Sequence, residues 1–104
     1  MVKAEIDAGV CGFKTEVNAS GDMMKVNLEI NSGCPNIQKL AEELKELEAM
    51  KEVFAKIGST KVYELASKYC PHPGCPVPAG IIKAVEVSAG FALPKNAEIK
   101  ISKE

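Results

Sequence analysis

Four cysteines, at positions 11, 34, 70 and 75, and a single histidine, at 72, are the residues of this chain best suited to chemistry. Thiolates are the soft ligands of zinc and of iron–sulfur clusters, and four of them suffice for either. Cys70, His72 and Cys75 fall in one short stretch, "YCPHPGCPVP" at 69–78, among four of the six prolines. Cys34, Cys70 and Cys75 each precede a proline. That neighbour pushes a residue to an extended backbone, so the direction of each thiol is set by the chain itself. Stiff ligand loops also lower the entropy lost when a site is assembled. A paired C-x-x-C knuckle is absent, and the one close pair is the C-x4-C of Cys70 and Cys75.

Three readings compete. In the first, Cys11, Cys34, Cys70 and Cys75 bind zinc or an iron–sulfur cluster, with His72 as a substitute ligand if Cys70 points away. In the second, Cys70 and Cys75 form a redox disulfide, and Cys34, at a helix start, is a thiol of lowered pKa. In the third, the thiols only pack, in a metal-free interaction domain. The N-terminal "MVKAEIDAGV" has no apolar core like that of a signal peptide, so a cytoplasmic protein is expected. Thiols stay reduced there, which favours metal chemistry over a disulfide framework.

Other chemistry finds less support. His72 has no evident catalytic partner, the only aspartates are Asp7 and Asp22, and no nucleophile–base pattern stands out, so the chain reads as a binding protein more than an enzyme. The net charge is −1 and all thirteen basic residues are lysines, which argues against nucleic-acid binding. No apolar run approaches the roughly 18 residues of a membrane span. Glu42, Glu43, Glu46, Glu48 and Glu52 read as a solvated helix face.

The elements that must position the thiols follow from two periods. Residues 2–7, 13–19 and 24–30 alternate apolar and polar positions, the mark of half-buried strands. From Pro35 the period becomes helical, through Ile37, Leu40, Ala41, Leu44 and Leu47, reaching Gly58 or breaking near Met50. A second helix starts at Ser59 or Thr60 and ends at Pro71; a third starts near Pro78 and ends at Gly90. Ala97, Ile99 and Ile101 alternate as a last strand. Strands first and helices second predict one α+β domain over 1–104: two layers, with an antiparallel three- to four-stranded sheet against about three helices. Each cysteine then sits where one element gives way to the next.

This frame resembles the U-type iron–sulfur cluster scaffold proteins. The similarity lies in "VCGF" around Cys11, "SGCPN" around Cys34 and "GCPVPAGIIKAVEV" from Gly74. It implies a small α+β fold, ligand roles for Cys11, Cys34 and Cys75, a fourth ligand from Cys70 or His72, and protein partners for cluster delivery. Phe13 stands where that family places an aspartate that aids cluster release, and Gly74 where it has a histidine. The chain also resembles an uncharacterised family of small four-cysteine proteins of anaerobic prokaryotes, through "CGF", "CPVP" and "ALP". That second likeness implies no activity.

Overall fold

The alternating runs pair as expected. A computed structural model describes residues 1–103 and contains β1 (Val2–Asp7), β2 (Lys14–Gly21) and β3 (Lys25–Ser32) as an antiparallel meander. The register sets Ala4 against Val17 and Val17 against Ile30, so apolar residues meet across both strand pairs. Thr15, Val17, Ala19, Val26 and Leu28 are buried on one face, while Lys3, Glu5, Asn27 and Glu29 alternate onto the exposed face. One face is therefore free to accept helices, and the other stays in water.

Four helices cover the buried face: α1 (Pro35–Glu43), α2 (Ala49–Val53), α3 (Lys61–Tyr69) and α4 (Val77–Ser88). The core is made where Ile37, Leu40 and Leu44 of the α1 segment, Val62 of α3, and Ile81 and Val85 of α4 meet the sheet. This is the two-layer α+β arrangement that the two periods predict.

Two details differ from the sequence reading. The first long helix stops at Leu44, before Met50, and its predicted continuation contributes a three-residue strand, β4 (Glu46–Glu48), on the outer edge of β3. The Leu28 N–H donates to the Lys45 carbonyl at 2.7 Å, and the Ala49 N–H donates to the Met24 carbonyl at 3.2 Å. The break thus supplies partners to an edge of β3 that would otherwise be open. Leu47 is buried in β4, and its spacing of three from the buried Leu44 is also that of a helix face. The predicted last strand does not form: residues 92–103 are exposed and carry no regular structure.

The first turn of α4 lies directly on β1. A Cβ placed on Gly80 would collide with the end of Ile6 and stand 2.7 Å from its Cγ1. Ile6 is β-branched and cannot rotate freely away. Gly80→Val is therefore expected to cost about 2 to 3 kcal/mol of stability through overpacking. Urea unfolding with an unchanged m-value measures it, and a neutral result would mean that α4 does not seat on Ile6.

Candidate functional site

Cys11, Cys34 and Cys75 lie toward one end of the sheet. The β1–β2 pairing ends at Asp7 and Lys14, and the Gly33 N–H just beyond β3 donates to the Lys14 carbonyl at 3.3 Å. The loop holding Cys11 and the residue preceding Cys34 therefore leave the sheet side by side. Cys75 lies two residues before α4, whose first turn rests on Ile6 near the same end of β1.

The turn around Cys11 is closed by its own backbone. The Ala8 N–H donates to the Phe13 carbonyl at 3.2 Å and the Gly12 N–H donates to the Gly9 carbonyl at 2.9 Å. Gly9 and Gly12 have φ of 87° and 76°, a region that other residues rarely adopt, so the glycines flanking Cys11 fix the shape of the tip. Cys11 itself is exposed.

Cys34 is the N-cap residue of α1, with the extended backbone that the following Pro35 requires (φ −79°, ψ 121°). Its side chain makes no capping bond, so the sulfur is not committed to the helix. Its N–H donates to the Ser32 hydroxyl oxygen at 3.1 Å, and Ser32 in turn pairs with the Thr15 hydroxyl at 2.8 Å. A chain of hydrogen bonds thus ties Cys34 to the end of β2.

Cys70 caps the C-terminus of α3, with its N–H donating to the Ala66 carbonyl at 2.8 Å. The turn from Cys70 to Cys75 is closed by the Cys75 N–H donating to the His72 carbonyl at 3.2 Å. Cys34, Cys70 and Cys75 are all partly buried and pack against the core. Burial, then the charge of Cys75, then that of Cys34, push the Cys70 thiol above its ordinary range. Cys75 and Cys34 are thus close enough to act on Cys70 electrostatically.

Cys70 and Cys75 also line an open groove of about 710 Å³ between the start of α3 and the proline loop. His72, Tyr63 and Ser67 share that groove. His72 is exposed. The structure thus brings Cys34, Cys70 and Cys75 into one neighbourhood and leaves Cys11 on an exposed turn at the same end of the sheet. As the side chains stand, no group of three or more His, Cys, Asp or Glu among the described residues is arranged to hold a metal ion.

The polar residue that the sequence reading missed is Glu52. It is buried, not part of a solvated face. Its carboxylate accepts from the Lys61 N–H at 2.7 Å and the Val62 N–H at 3.3 Å. Thr60 caps the same helix by accepting from the Tyr63 N–H at 3.0 Å. Together they satisfy the first three backbone donors of α3, the helix that ends on Cys70. No local pattern marks Glu52, because its partners lie nine and ten residues downstream.

No curated protein and no solved structure matches this chain. Residues 2–101 match a family of unknown function, DUF6951, and the chain belongs to that family.

Proposed function

We propose that this is a small metal–thiolate protein in which Cys34, Cys70 and Cys75 bind zinc or an iron–sulfur cluster, with Cys11 as the fourth ligand. The observation that carries this reading is the position of Cys70, partly buried and within electrostatic reach of two further thiols. Ionising such a set without a counter-charge is unfavourable, and a soft cation removes that penalty. A change of side-chain rotamer moves a cysteine sulfur by about 3 Å, and the proposal requires the set to close on the ion through such changes. Cys11 joins from an exposed turn, and His72, in the loop between Cys70 and Cys75, is the substitute donor.

The thiol-redox reading is less well supported. An attacking thiol works best with a pKa near ambient pH, and Cys70 is shifted the other way. In the cluster version of the proposal, the bound cluster is cargo passed to protein partners, and the open groove beside Cys70 and Cys75 is a route of approach. A reducing compartment such as the cytoplasm suits this chemistry.

Anaerobic purification followed by metal analysis, acid-labile sulfide assay and a visible spectrum tests the proposal. Iron with sulfide is the result expected for a cluster, and one zinc per chain is that expected for a zinc site. Neither metal after reconstitution, with four freely titratable thiols, would overturn both.

A further inference from the structure

β1 has a strand on one side only, so its outer edge, from Val2 to Asp7, offers unpaired backbone groups. Near the other end of the chain, residues 97–101 read "AEIKI", with the alternation of a strand. Ile99 is 80% exposed and Ile101 is 91% exposed. Among the described residues, no backbone hydrogen bond involves residues 92–103. An open edge and an unpaired strand-like segment thus coexist in one molecule.

Their side chains match in one register. Val2, Ala4 and Ile6 are half-buried against the helices, while Lys3, Glu5 and Asp7 face water. A parallel alignment sets Ala97, Ile99 and Ile101 beside Val2, Ala4 and Ile6 and extends the apolar layer. The same alignment sets Glu98 beside Lys3 and Lys100 beside Glu5. Glu5 already faces Glu16 across the β1–β2 ladder, a like-charge pair that Lys3 offsets. Lys100 would supply a second cation there. The antiparallel alignment of the same apolar residues sets Lys3 against Lys100 and Glu5 against Glu98, which is unfavourable at both positions.

We propose that two copies of the chain exchange these segments. Residues 97–101 of each copy add, parallel, as a fifth strand to the β1 edge of the other. The exchange is reciprocal, so the assembly closes as a two-fold dimer and leaves neither β1 edge open. The proposal is independent of metal binding.

Sedimentation equilibrium of the full chain over a concentration series tests it. A mass of two chains is expected. Ile99→Lys with Ile101→Lys should give a monomer that still unfolds cooperatively and has lost only the strand signal of the added segment, since both side chains are exposed in the single chain. Lys100→Glu should weaken the dimer by about tenfold, because the altered pair occurs twice in a two-fold assembly. Adding Glu5→Lys should restore it. A monomer at every concentration overturns the proposal, including a monomer whose segment is protected from hydrogen exchange by its own β1. A dimer indifferent to Ile99→Lys with Ile101→Lys overturns it too, as does a Lys100→Glu defect that Glu5→Lys leaves uncorrected.

Discussion

In the proposed metal site, replacing Cys70 by serine is expected to lower metal affinity at least about 100-fold, because altering even the partners of a ligand costs 10- to 100-fold. Cys70 is partly buried and within electrostatic reach of both Cys75 and Cys34, so its loss removes a ligand that adjoins two others. The substitution should leave the fold intact, since the side chain is only partly buried and it is the backbone N–H of Cys70 that bonds Ala66. Competition with a chromophoric chelator measures the effect, and an unchanged affinity would rule Cys70 out as a ligand.

The raised pKa of the Cys70 thiol adds a pH dependence whose sign is fixed. In the proposed site, metal would have to displace a proton from that thiol, so apparent affinity would rise as pH rises towards the raised value. In the metal-free protein, a folded-state pKa above the unfolded one means that the folded state holds its proton longer. That contribution to stability is fully present below the unfolded value of about 8.5 and is lost as pH rises through the folded value. Metal-free stability should therefore decline in alkali while metal affinity improves. Replacing Cys70 should flatten both trends.

The residues that were legible in the sequence are those whose partners are periodic or adjacent. Val17 and Ala19, or Val26 and Leu28, declare a buried face by alternation, and the prolines at 71 and 73 fix the end of α3 without reference to anything distant. The placement of each cysteine at a boundary was legible for the same reason: Gly9 and Gly12, Pro35, Pro71 and Pro76 are local signals. What spacing alone could not give is that Cys34, Cys70 and Cys75 share a neighbourhood while Cys11 remains apart. That depends on α3 packing against both α1 and α4. Glu46–Glu48 reads as helix because Leu44 and Leu47 satisfy helical spacing, and only the open edge of β3 makes a strand the better solution. Residues 97–101 show the converse. Their alternation is genuine, but alternation specifies a strand only where an edge is present to receive it.

Glu52 shows what such long-range dependence is worth. Glu52→Ala would leave the Lys61 and Val62 N–H groups without an acceptor, and Val62 is fully buried. Hydrogen bonds to a charged group contribute about 1.5 to 3 kcal/mol each, and a negative charge at a helix N-terminus is favoured by the helix dipole. With partial access of water to Lys61, a net loss of about 3 kcal/mol is expected. For a domain of this size that lowers the melting temperature by roughly 12 to 24 °C. Glu52→Gln keeps one oxygen as acceptor and should lose about half as much. The loss should concentrate in α3, which holds Cys70 at its far end, so hydrogen exchange at Lys61, Val62 and Tyr63 should accelerate more than in β2 or β3. Uniform acceleration across the sheet and helices would mean that Glu52 supports the whole fold rather than this helix, and an unchanged melting temperature would mean that water replaces its carboxylate without cost.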